Sequence, residues 1–250
     1  GDIMTNPKFR QAGLGPTSIL SRTVLYYYEK LCRNQYPFTY GFNTGNMRKF
    51  GERYLGFVYN EEVPYYVLPR WDKIRGSWYF WVKKAWDKVR VERLVARTHE
   101  LDTFFDRVRK NFGLLVTRDS KYLSWRYFQA PDWNYTVYTL RAGDSLAGWA
   151  VFKAHAQSLI MGDCLFDPRY ISLMRLFFEY IFAIHPQVQE ITTWCSPAPQ
   201  WWTRALQNAG FERRAEPHRL APAFKIFDPH FSADLFQESL YYTMCDSDFF

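Results

Sequence analysis

"GDIMTNPKFRQAGLG" at residues 1–15 and "GDCLFDPRYISLM" at residues 162–174 are the two stretches from which the fold is read. Both open Gly-Asp, both reach a proline at the same distance (Pro7 and Pro168), and both continue with a basic residue and an aromatic one, Lys8-Phe9 and Arg169-Tyr170. The first then inserts Arg10-Gln11-Ala12-Gly13-Leu14-Gly15, and the second does not. Each reads as the end of a strand, a proline turn and the start of a helix.

Working outward, Ile19, Leu20, Val24, Tyr27, Tyr28 and Leu31 recur at three- and four-residue spacing, which predicts a helix over Thr17–Arg33. A strand follows at Tyr36–Phe42, then turn chemistry at Asn43-Thr44-Gly45-Asn46 and a short helix closing at Gly56. Phe57–Asn60 and Val63–Leu68 are expected to form a hairpin across Glu61-Glu62. Trp71, Ile74, Trp78, Trp81, Ala85 and Val89 form a helical stripe opposite Lys83, Lys84 and Lys88. Further helices are predicted at Glu100–Asn111 and Asp119–Phe128.

Strand and helix then alternate again. Tyr135–Arg141 and Leu146–Ala154 are joined through Gly143-Asp144, a hairpin signal. Ser158–Phe166 is a strand, Ile171–Ile184 an apolar helix, Glu190–Cys195 a strand and Ala198–Asn208 a helix closed by Gly210-Phe211, with one more strand at Phe224–Phe227. Each half thus runs Gly-Asp strand, proline turn, amphipathic helix, aromatic-rich strand, short helix and Gly-Phe. A repeat of this length is one domain fold used twice, too long for a solenoid unit. The expected fold class is α/β with a mixed sheet, in three segments: 1–70, a basic aromatic helical linker at 71–117, and 118–250. The second half has a hairpin ahead of its Gly-Asp strand and the first has none, so the first domain lacks its N-terminal strands and the native protein is expected to continue upstream of Gly1.

Composition narrows the class of partner. Hydrophobic residues make up 48% and aromatics 20% of the 250 residues, which suits a globular protein. No uncharged apolar run is long enough to span a membrane, and the start carries neither the basic nor the apolar region of a secretory signal. Cys32, Cys164, Cys195 and Cys245 are scattered without metal-ligand spacing, so buried thiols in a reducing, cytoplasmic compartment are expected and no metal. Residues 71–126 hold 14 Lys/Arg against 7 Asp/Glu and so account for the whole formal charge of +7. That segment is either the surface for an acidic partner or a solvated basic face. No nucleic-acid motif accompanies the charge. Two readings of 71–90 stay open, a helix lying on an anionic membrane and an interdomain helix whose Trp stripe is core.

Glycines between a strand and a helix allow positive φ and close backbone approach, and exposed amides with the helix dipole then hold an anion of pyrophosphate size. Lys8 and Arg10 add cationic attraction. The pattern is neither a Walker A loop nor G-x-G-x-x-G. By itself R-x-x-G-x-G is equally a turn at a helix start.

In its setting, strand "DIMTNP", loop "RQAGLG", a long helix, a strand ending near Asn43 and a short helix closing on "LGF", the first half resembles the GNAT superfamily of acyl-CoA N-acyltransferases. "RDSKYLSWRY" at 118–127 and "YYTMCDSDFF" at 241–250 also resemble bacterial tandem-GNAT proteins, some tied to polysaccharide biosynthesis. The resemblance implies acetyl-CoA or another acyl-CoA as co-substrate. Arg10, Gln11, Ala12, Gly13, Leu14 and Gly15 would hold its pyrophosphate, Met4 and Thr5 would lie along pantetheine, and Asn43 would sit near the thioester. It implies N-acyl, most simply N-acetyl, transfer to a small-molecule amine, an amino sugar being one acceptor.

The second half lacks the glycines and reads as a degenerate copy. The family's proton donor is a Tyr on the closing helix, but counting back four from Gly56 reaches Glu52, flanked by Phe50 and Tyr54. Tyr54 serves only if the helix is shifted. Asp2 as base is weighed against a structural role shared with Asp163, and the structural role is preferred; Asp246 and Asp248 in the tail are the other carboxylates considered. The missing acid and base leave a second function open, a catalytically silent acyl-CoA-binding or regulatory module.

Overall fold

The structure, a computed structural model, describes residues 17–70, 88–131, 134–247 and 250. The strands among them are β1 (Phe38–Asn43), β2 (Val58–Tyr59), β3 (Tyr65–Pro69), β4 (Val89–Leu94), β5 (Leu114–Leu115), β6 (Tyr135–Ala142), β7 (Ser145–His155), β8 (Ser158–Phe166), β9 (Glu190–Trp194), β10 (Glu212–Arg214), β11 (Ala221–Ile226) and β12 (Leu240–Tyr241). The chain divides into two compact units. One takes residues up to Val63 with Ala215–Glu238, and the other takes Pro64–Arg214 with Ser239–Cys245 and Phe250.

In the first unit the helix Ile19–Tyr26 starts at Ser18, whose hydroxyl accepts from the Ser21 amide at 3.1 Å, and continues as a widened π turn over Tyr27–Cys32. Ser21, Val24 and Cys32 are its buried residues among those described. The sheet runs β1-β11-β2, antiparallel throughout. Phe236 stacks on Phe224 at 4.3 Å and meets Phe38 at 4.5 Å, closing the sheet's aromatic face. The helix Gly45–Phe50 also ends in a π turn, Gly51–Leu55, and stops at Gly56 with φ 64°, a left-handed cap that favours glycine. Lys225 on β11 donates to the Leu55 carbonyl at 2.8 Å, satisfying one of the orphan acceptors of that helix end.

The second unit has a seven-stranded mixed sheet in the order β10-β3-β9-β8-β7-β6-β4, in which only β8 and β9 pair in parallel. Helices Glu100–Val108, Met174–Ile184 and Gln200–Asn208 bury apolar stripes, Phe104, Phe177, Phe178 and Trp202 among them, against one continuous core. Gly143, with φ 60°, makes the β6–β7 turn expected from Gly143-Asp144.

Several sequence expectations change. Val58–Tyr59 and Tyr65–Pro69 do not form a hairpin: β2 pairs with β11 and β3 with β9 and β10. Tyr66, Val67 and Leu68 are all buried, and a strand buried on both faces needs a central place in a sheet, which a two-stranded hairpin cannot give. Val89 opens a strand paired with β6 instead of closing a helical stripe. The span assigned to a linker at 71–117 contributes β4, the helix Glu100–Val108 and β5 to the second unit, because Val89, Leu101, Phe104 and Val108 belong to its core. Segment 118–250 in turn gives β11 and the helix Ala233–Ser239 to other partners: β11 fills the place between β1 and β2. The strand expected at Gly1–Asn6, the glycine loop and the Trp stripe at 71–87 lie outside the described residues.

Candidate functional site

Of the site residues expected from sequence, Asn43 is described; Met4, Thr5, Arg10, Gln11, Ala12, Gly13, Leu14 and Gly15 lie outside the described residues. Asn43 is the last residue of β1, half-buried, and its Nδ2 donates to the Tyr59 hydroxyl at 3.0 Å. That hydroxyl donates in turn to the Met47 carbonyl at 3.4 Å. Burial pushes the Tyr59 phenol up, and the bond from Asn43 works against that shift. The Arg48 guanidinium lies 5.3 Å from the Tyr59 ring centre and pairs with Glu52 at 3.2 Å. A Cβ at Gly51 would collide with the Tyr59 hydroxyl and the Phe57 ring, so glycine at that position is what lets the phenol lie against the helix.

Beside this group lies a cleft of about 320 Å³ lined by Gly45, Arg48, Lys49, Glu52, Glu62 and Arg219. Arg219 and Glu62 pair across it at 2.8 Å. The lining holds three cations and two carboxylates, so its field favours an anionic guest. Glu52 is thus brought to the cleft, tied to Arg48, while Tyr54 turns to Phe50, ring centres 5.3 Å apart. The π turn explains why counting from Gly56 fails: it adds a residue to the last turn, and α-helical spacing no longer tells which residue faces which side. Sequence reasoning missed Tyr59 because it assigned that strand to a hairpin. Its signal was the alternation Phe57, Tyr59 directly after the helix-ending Gly56.

In the second unit, the carboxylates along Gly162–Asp167 are held by protein donors, while a pocket of about 360 Å³ lined by Arg169, Tyr170 and Ser172 opens beside the turn that follows. Asp163 is fully buried and accepts from Arg118 Nε at 2.9 Å, Tyr127 Oη at 2.7 Å and Thr243 Oγ1 at 2.9 Å. The three quoted segments "GDC", "RDSKYLSWRY" and "YYTMC" therefore meet on one carboxylate, with a structural role. Past the end of β8, Asp167 caps the turn Pro168–Leu173 through the Arg169 amide at 3.0 Å, and its carboxylate takes Arg169 at 2.7 Å and Arg107 at 3.1 Å. Burial alone would raise the Asp167 carboxyl, but Arg169 and Arg107 outweigh it and hold the group below its ordinary value. All four cysteines are buried free thiols, and no group of His, Cys, Asp and Glu among the described residues has metal-binding geometry. No helix among the described residues is long and apolar enough to cross a membrane.

The fold is that of GCN5-related N-acetyltransferases. Structures of such proteins from Anabaena variabilis (TM-score 0.57, 15% identity, 88% of this chain and 52% of that one) and Kribbella flavida (0.51, 15%, 91% and 51%) superimpose on the chain. So does a protein of Enterococcus faecalis described as a probable N-acyltransferase (0.59, 11%, 94% and 54%). The chain spans about half the length of these structures. No protein-family model matches the sequence, and no curated protein matches it.

Proposed function

We propose that the chain is the acyl-CoA-handling part of an N-acyltransferase, moving an acyl group, most simply acetyl, from the CoA thioester to a small-molecule amine such as an amino sugar. The single observation that carries this reading is the fold. The glycine loop Arg10–Gly15 supports it, since it stands in sequence directly before the helix Ile19–Tyr26, where amides and the helix dipole suit a pyrophosphate. The work of these residues is positional. The loop fixes the phosphates, Asn43 at the end of β1 orients polar groups at the reacting end, and holding thioester and amine together supplies much of the acceleration. The amine attacks as a neutral base, so a proton acceptor is required. Tyr59, half-buried and with its phenol pushed up by burial, is the donor we assign to the departing thiolate.

We further propose that the two units are copies of one domain, with the glycine loop marking the working one, and that the part of residues 71–90 preceding β4 makes peripheral contact with an anionic membrane or lipid-linked acceptor. The silent-module reading is favoured by one feature, the salt bridge that ties Glu52, a carboxylate of the cleft, to Arg48. The test is acetyl-CoA turnover against a panel of amines, with Gly13→Asp alongside. Turnover abolished by Gly13→Asp is expected. Thermal stabilisation by acetyl-CoA without turnover would establish the silent module, and neither effect would overturn both readings.

A further inference from the structure

The parallel ladder between β8 and β9 is short. It pairs Ser158–Ile160 with Glu190–Thr192 and ends there, while β8 runs on to Phe166. One more direct bond follows, from Thr193 Oγ1 to the Met161 carbonyl at 2.7 Å, and beyond it the two strands are joined by a third piece of chain, residues 241–243. On the β8 side, Tyr241 Oη donates to the Cys164 carbonyl at 2.8 Å, and Thr243 Oγ1 donates to Asp163 at 2.9 Å. On the β9 side, Thr243 forms an antiparallel bridge with Cys195, and the Ser196 amide donates to the Tyr242 carbonyl at 2.9 Å. Leu240, Tyr241, Tyr242 and Thr243 are all buried, and the Phe250 ring covers Gly162 so closely that a Cβ there would collide with it.

From this geometry we infer that the second unit's slot between the diverging parallel strands is filled by the chain's own segment 240–243, so that this unit admits no acyl-CoA and the chain binds one equivalent, not two. An extended ligand entering there would have to displace a strand segment whose backbone and side-chain bonds are already made. The stoichiometry rests on the acyltransferase reading; the filling of the slot does not.

The experiment therefore has two arms. In calorimetric titration with CoA, the full chain takes up one equivalent and Gly13→Asp takes up none; two equivalents, or one retained by Gly13→Asp, would overturn the inference. The second arm needs no CoA. The Ser196 amide is followed by hydrogen exchange, and Cys164 and Cys195 by alkylation and mass spectrometry, in the native chain and in a Tyr241→Ala, Thr243→Gly variant. Exchange and labelling are expected to rise at least ten-fold in the variant while the amides of the β6–β7 ladder in the same unit stay protected. Unchanged rates there, or open thiols in the native chain, would sink the idea. If the β6–β7 amides also open, the unit is unfolded, and Tyr241→Phe, which removes the hydroxyl's bonds to the Cys164 carbonyl and thiol, takes its place. A several-fold rise at Cys164 is then expected, and no rise counts against the proposal. Loss of CoA binding with the slot still protected would reject the acyltransferase reading alone.

Discussion

The stretch Gly162–Arg169 in the second unit and the stretch Asn43–Tyr59 in the first do opposite things with polar groups. Around Gly162–Arg169, Asp163 and Asp167 are buried and saturated by protein donors. Along Asn43–Tyr59, Asn43, Arg48 and Glu52 are half-buried or exposed and line or adjoin an open cleft. Saturated buried groups define a single conformation and leave nothing for a guest; half-solvated groups add little to stability and keep their bonding capacity for one. Substitutions around Gly162–Arg169 are therefore expected to act on folding, and those along Asn43–Tyr59 on ligand handling.

The largest effect is expected at Arg118. Arg118→Met leaves the Asp163 carboxylate buried without its cation, which costs about 3–5 kcal/mol. Urea unfolding followed by Trp fluorescence measures it. A loss below about 1 kcal/mol, within the range of surface ion pairs, would mean that Asp163 is not the closed group described above.

Asp167 comes next, with a pH signature. Its folded carboxyl is held below the usual 3.8, so the stabilisation it gives is fully present above that value and is lost as pH falls through the lower folded value. Asp167→Asn should lower stability by about 1–3 kcal/mol at neutral pH. The gap from the native chain should close as the medium is acidified below about 3.8. A gap that stays constant to the lowest pH at which both chains fold would break the assignment.

Two glycines sharpen the contrast further. Gly162→Ala drives a Cβ into the Phe250 ring and is expected to cost about 1–3 kcal/mol. Gly41→Ala on β1 meets nothing within 4 Å and should be neutral or slightly stabilising, by up to about 1 kcal/mol. Thermal unfolding of the pair decides it, and equal losses would contradict the packing difference.

Much of this was legible in the sequence because it is local. The strand Ser158–Phe166, the helix after it and the hairpin through Gly143 follow from periodicity and turn chemistry. The partners of β3 and β11 were not legible, since pairing across more than a hundred residues leaves no periodic trace: Tyr65–Pro69 alternates like half of a hairpin whichever strand it joins. The carboxylates show the same limit. Asp163 was readable as structural from its repetition of Asp2, but its partners Arg118 and Thr243 come from segments that only the fold assembles. The π turn at Gly51–Leu55 hid the face of the closing helix for a related reason, because an inserted residue changes the count without changing the composition.

A small effect on folding, and the one that tests function most directly, is expected at Tyr59. Tyr59→Phe keeps the ring and its contacts with Phe57 and Arg48 but removes the hydroxyl shared by Asn43 and Met47. Asn43 is only half-buried and water can replace the lost acceptor, so stability should fall by no more than about 1 kcal/mol. If Tyr59 protonates the departing thiolate, kcat for acetyl transfer should fall by about 10²–10⁴-fold, the usual worth of a general acid, with KM for acetyl-CoA little changed. A variant with unchanged kcat and the small stability loss alone would make Tyr59 a strut for Asn43, and the proton donor would have to come from elsewhere in the protein.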